Sequence, residues 1–175
     1  MNKKLIFALL AVMLVAVVAF AACATKTDIL SLYDNVKNAK SATQTITVKN
    51  GSDEIAKETL SYNFDTNKVT IERKTLNNSG ATEMYTTTTE TKDITERNTA
   101  KLTADMLKDV TTTEKTLTAK VANANLKSVF GIEATSVNGD ATVELVAEGE
   151  HIAKITVTYT STNGNAVEIV TTYTY

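Results

Sequence analysis

Threonine alternating with aliphatic residues is the feature that most limits what this chain can become. In segments such as Thr45-Ile46-Thr47-Val48 and Ile155-Thr156-Val157-Thr158, polar and apolar side chains alternate with a period of two. That period sends successive side chains to opposite faces of a strand, so one face is dry and the other wet. Threonine suits the wet face, because its β-branch fits extended backbone and its hydroxyl tolerates water. It makes up about a fifth of residues 23–175, well above ordinary usage. A sugar-bearing, threonine-rich stalk generally carries proline as well. This chain has none, and its apolar alternation points to strands.

The turn signals between these segments set the order of elements. A helix is expected near the start of the domain, capped by Thr27, with Ile29, Leu32, Tyr33 and Val36 forming one apolar stripe and Lys37 and Lys40 near its end. Four strands follow: Ala42–Lys49, Ile55–Phe64, Lys68–Leu76 and Thr82–Thr91. They are separated by Asn50-Gly51, Asp65-Thr66-Asn67 and Asn77-Asn78-Ser79-Gly80. Ile94 falls either in a short further strand or in the next loop. Leu102, Met106, Leu107 and Val110 have helical spacing, and Thr111–Val121 reads as one strand. Ala122 to Phe130 is again helical, with Gly131 as its C-cap. Three strands close the chain: Ala141–Glu148, His151–Thr160 and Ala166–Tyr175. They are joined by Gly149-Glu150 and Thr162-Asn163-Gly164-Asn165.

This order predicts an α+β, mostly β, fold: a curved antiparallel sheet, half-barrel-like, with an N-terminal helix and one or two short helices in its middle. The layout is similar to that of LolA- and LppX-type lipoprotein carriers, in which a half-barrel and a helical lid enclose acyl chains. The likeness lies in topology over most of residues 27–175, with no specific motif and no functional residue carried over. A cystatin- or NTF2-like cone, which also sets a helix against a curved sheet, fits the same order.

Residues 1–23 concern address rather than fold. Lys3 and Lys4 precede an uncharged run from Leu5 to Ala22, which ends at Cys23, the single cysteine of the chain. This is the construction of an export signal. The ending Phe20-Ala21-Ala22-Cys23 resembles the lipobox of bacterial lipoproteins, with Phe20 in the place usually held by leucine. That resemblance implies a thiol of Cys23 carrying diacylglycerol, cleavage before it, and acyl chains such as palmitate holding the protein to a membrane. The expected organisation is a signal peptide over 1–22, a lipidated tether over 23–26 and one β-rich domain over 27–175. Two rival readings are a soluble exported protein cut at a small-x-small site, and an uncut apolar run serving as membrane anchor. All three place the domain outside the cytoplasm, on the outer face of a bacterial cell membrane or on an outer membrane. With one cysteine the domain folds without an internal disulfide.

Removing the two lysines of residues 1–22 leaves sixteen basic residues against twenty acidic ones, a net charge of −4. A mildly acidic chain argues against a nucleic-acid partner, which needs a basic patch. No nucleophile elbow, phosphate loop, dinucleotide fingerprint or zinc-protease signature is present. His151, the one histidine, stands beside Glu148 and Glu150 without the further ligands a metal needs. Asp105 and Asp109, four apart on an expected helix, and Asp53-Glu54 in a turn read as solvated surface charge. Neither an enzyme nor a cofactor is expected. The candidate ligand-binding residues are the strand tyrosines Tyr62, Tyr85, Tyr159 and Tyr173, which would line an apolar cavity between sheet and helices or fill the core. The expected function is non-enzymatic binding of a lipid or other apolar ligand by a membrane-anchored lipoprotein. The alternative is a cell-envelope module binding protein or glycan through its threonine-rich sheet.

Overall fold

A computed structural model describes residues 29–77, 84–94 and 101–175. The expected signal, Cys23, the tether and the Thr27 cap lie outside the described residues, as do most of the 77–80 turn and the first two residues of the expected fourth strand. Residues 29–32 are α-helical and run into a 3₁₀ segment, Tyr33–Asn38. Nine strands follow: β1 (Ser41–Asn50), β2 (Asp53–Asn63), β3 (Lys68–Asn77), β4 (Met84–Asp93), β5 (Leu107–Thr112), β6 (Thr116–Val121), β7 (Val137–Glu148), β8 (His151–Ser161) and β9 (Ala166–Thr174).

They form one open, mostly β architecture, an antiparallel sheet in the order β4-β3-β2-β1-β9-β8-β7-β6-β5. Every neighbour is also the next strand in sequence except at the centre, where the first strand pairs with the last. There Ala42 faces Tyr173 and Ile46 faces Ile169. Two meanders are thus zipped together by the ends of the domain. Lys40 extends the seam, its N–H donating to the Thr174 carbonyl at 2.8 Å and its carbonyl accepting from Phe64 at 2.9 Å.

The turns follow local chemistry. Gly149-Glu150 joins β7 to β8 as a two-residue loop, with Gly149 at φ 60° in the position that excludes most side chains. At the first hairpin the connecting residues are Gly51 and Ser52, because Asn50 is still paired with Asp53. Asn63 Oδ1 accepts the Thr66 N–H at 3.0 Å in the second turn.

The middle of the chain corrects the sequence reading. The helical spacing of Leu102, Met106, Leu107 and Val110 forms only a 3₁₀ turn, Ala104–Met106. Leu107–Thr112 is strand β5, and the expected single strand Thr111–Val121 is the hairpin β5–β6. Three successive β-branched residues after Val110 favour extended backbone over helix. Thr113 then makes the turn, its Oγ1 accepting the Thr116 N–H at 3.0 Å. Asp105 and Asp109 therefore do not share a helix. Asp109 sits at φ 51° where the β5–β6 register shifts, and pairs with Lys120 at 2.8 Å. Strand β7 also begins four residues before its expected start, bent between Asn138 and Thr142.

One face of the sheet is dry. Leu117, Val121, Val143, Leu145 and Ile152 are fully buried on β6–β8. The helix Asn123–Phe130 covers them through Leu126 and Val129 and stops at Gly131, whose N–H bonds the Lys127 carbonyl at φ 71°. The opposite face carries the threonines in register, for example Thr172, Thr43, Ser61, Thr70 and Thr91 across five adjacent strands.

The connection between β4 and β5 joins the two outer edges of the sheet. Of its described residues, Ile94 and Lys101 line the cavity described next, and Leu102 is buried in the core.

Candidate functional site

A cavity of about 310 Å³ lies between the apolar sheet face and the helical segments. Its floor is built at the central seam. Ala42 and Gln44 of β1 stand opposite Tyr173 and Thr171 of β9, and Thr171 and Ile169 stand opposite Ile155 and Val157 of β8. All share one face because each is two residues from the next along its strand. The two polar residues of the floor satisfy one another, Gln44 Nε2 donating to Thr171 Oγ1 at 3.2 Å.

Aromatic rings form the walls. Tyr62 and Phe64, at the end of β2, stack with centroids 5.9 Å apart. Tyr33 and Val36 approach from the 3₁₀ segment, and Val129, Phe130 and Ile132 from the end of the 123–130 helix and the residues after it. Burial, reinforced by the neighbouring Asp34 charge, pushes the Tyr33 phenol up to about 12 from 10.0. Burial first and the Glu58 charge second also raise Tyr62. Both phenols are neutral at pH 7 and present an apolar ring with a polar tip.

Charge is confined to the residues contributed by the 3₁₀ segment and by the β4–β5 connection: Asp34, Lys37 and Lys101. Lys101 Nζ lies 3.3 Å from Asp34 Oδ2.

The structure separates the four candidate tyrosines. Tyr62 and Tyr173 line the cavity. Tyr159 shares the apolar face but packs on the aliphatic core beyond the cavity, where burial raises its phenol. Tyr85 is 43% exposed. It stands five positions from Glu90, the register partner of Ile71, and two from Thr87, the partner of Lys74, so it shares the face of Lys74, opposite Ile71. Lys74 Nζ sits 4.0 Å above its ring. The threonine-bearing side therefore holds Tyr85, which leaves the cavity set. Tyr33, Phe64 and Phe130 join the set. Their signal was in the sequence: Phe64 continues the Leu60, Tyr62 alternation, and Tyr33 and Phe130 lie on helical apolar stripes. Assigning those stripes to one cavity needed the β1–β9 pairing.

His151 stacks on Tyr175, centroids 4.1 Å apart, at the β7–β8 hairpin. Tyr175 Oη donates to the Ile152 carbonyl at 3.1 Å. Among the described residues, no three His, Cys, Asp or Glu side chains are grouped to hold a metal ion. Nor, among them, is any helix long and apolar enough to cross a membrane.

No family model matches the sequence, and no curated protein matches it. Among solved structures, one described as "Crystal structure of fusion DH domain" shows a likeness at 10% identity, covering 89% of this chain and 76% of that one. Its TM-score of 0.25 is too low to carry an argument about fold or function.

Proposed function

We propose that the chain is an extracytoplasmic lipoprotein, anchored by lipid on Cys23, that holds a lipid or other apolar ligand without catalysing a reaction. The observation that carries this reading is the cavity. Its volume of about 310 Å³ is at the small end of the range for ligand sites. Its floor is apolar apart from one mutually satisfied polar pair, and five aromatic side chains line the cavity. A curl of the sheet toward a half-barrel, with the 3₁₀ segment and the 123–130 helix as its lid, completes the proposal. The lipobox-like end of residues 1–23 would place this cavity beside the bilayer from which an apolar ligand comes.

Native mass spectrometry of residues 25–175 tests the reading. The expected spectrum contains a lipid-sized adduct that is lost on denaturation and reduced when Ala42→Phe fills the floor. A bare mass from freshly prepared material, unchanged after incubation with fatty acids, would contradict it.

The opposite face favours a second reading, an envelope module for protein or glycan. Threonines stand in rows there, and β4 offers an exposed edge with the run Thr86-Thr87-Thr88-Thr89. Substitution of Thr43, Thr70 and Thr91 would then abolish partner capture, whereas Ala42→Phe would not.

A further inference from the structure

We infer that the cavity takes a single-chain amphiphile with an anionic head, such as a fatty carboxylate, received by Lys37. This rests on the apolar-ligand reading above and adds the chemistry of the head. Three charged side chains line the cavity, and they are not equivalent. Asp34 and Lys101 neutralise one another across 3.3 Å, joining the 3₁₀ segment to the β4–β5 connection. Lys37 has no ion-pair partner among the described residues, although it lies one helical turn from Asp34 and lines the same cavity. The mouth thus carries one uncompensated positive charge on a chain whose overall charge is negative.

The remaining lining gives a charged head no comparable place. The Gln44 amide and the Thr171 hydroxyl on the floor are engaged with each other. Tyr33 and Tyr62 are held neutral by burial, so they add ring surface and hydroxyl groups without charge. A cationic head would meet Lys37 with Asp34 already occupied. A neutral head would leave the Lys37 charge unused. At about 30 Å³ per non-hydrogen atom, the cavity holds on the order of ten such atoms. A chain of eight to ten carbons fits beneath the mouth, and a longer one would project past it. Because Lys37 is exposed, its attraction is screened and modest: about fivefold in affinity at low salt and less at high salt.

The test is photolabelling of the full chain in membranes. It uses a diazirine-bearing decanoic acid and the matching decanol, with labelled peptides identified by mass spectrometry. The acid-to-alcohol labelling ratio on peptides holding Tyr33–Lys37 and Tyr62–Phe64 is compared between variants, so that partition of each probe into the bilayer cancels. The expected ratio falls about fivefold in Lys37→Gln, is retained in Lys37→Arg, and rises in Asp34→Asn, which frees Lys101. Lys37 is exposed, and unchanged circular dichroism of the variants shows that the fold is kept. An equal ratio in the parent and Lys37→Gln, with both probes labelling these peptides, would overturn the anionic-head inference and leave the apolar cavity standing. Labelling of these peptides by neither probe would overturn both.

Discussion

The two halves of the sheet share one continuous hydrogen-bond ladder but differ in what their inner face carries. One row of facing residues runs Ala119, Val143, Val157, Ile169, Ile46, Glu58, Arg73, Thr88, from β6 to β4. It is aliphatic as far as β1 and ionic or polar from β2 onward. On the β6–β9 side the helix Asn123–Phe130 seals a dry cluster with several side chains at zero exposure. On the β2–β4 side, Arg73 lies between Glu58 and Glu90, and Lys92 pairs with Glu90 at 3.0 Å. Along this row backbone pairing extends past the main hydrophobic cluster, while Val69 and Ile71 of β3 stay buried in the neighbouring rows. The cavity occupies the junction, where packing from one side ends and solvated charge from the other begins.

The largest expected difference between the halves is in stability. Leu145→Ala empties a fully buried position and should cost about 3–4 kcal/mol. Leu60→Ala, at a half-buried position on β2, should cost about 1 kcal/mol. Urea unfolding of both variants measures this, and equal costs would break the comparison.

Next in size is the alkaline response of the 3₁₀ segment. The folded Tyr33 phenol ionises near 12 and the unfolded one near 10. Its contribution is complete below pH 10 and is lost as pH rises toward 12, up to roughly 2–3 kcal/mol. Tyr33→Phe should flatten that loss, followed by phenolate absorbance together with circular dichroism. The Gly131→Ala change should cost about 1 kcal/mol, because φ 71° strains a side chain even though no neighbour lies within 4 Å of the added carbon. Smallest of all is the wet half's ion network. Hydrogen bonding from Arg73, then from Lys92, holds the Glu90 carboxyl below its ordinary range. Arg73→Gln should raise the acid titration of Glu90, seen by NMR. Its slight stability effect should be present above the carboxylate range, fade as pH falls, and vanish in 1 M salt.

Much of this division can be read from particular residues and some of it cannot. Alternation located most of the strands, since burial on one face forces a period of two. The same period placed Tyr62 with Phe64 and Val167 with Ile169. Helical spacing misled at Leu102–Val110, where four apolar residues fit two periods and the threonines that follow decide for strand. The pairing of β1 with β9 joins residues far apart in the chain, as in Ala42 with Tyr173. No local signal fixes such a contact, and without it the cavity could not be read. The ionic stretch of that row was nevertheless encoded in Glu58 and Arg73, charged residues at positions where β7–β9 carry valine or isoleucine.

The most direct test of the account is an isotope-filtered nuclear Overhauser measurement on residues 25–175 with bound decanoate. The account predicts contacts from the chain methyl and methylenes to the rings of Tyr62, Phe64 and Tyr173 at the junction, and none to Tyr85 on the threonine face. Contacts to Tyr85, or to none of these rings while decanoate is bound, would contradict it.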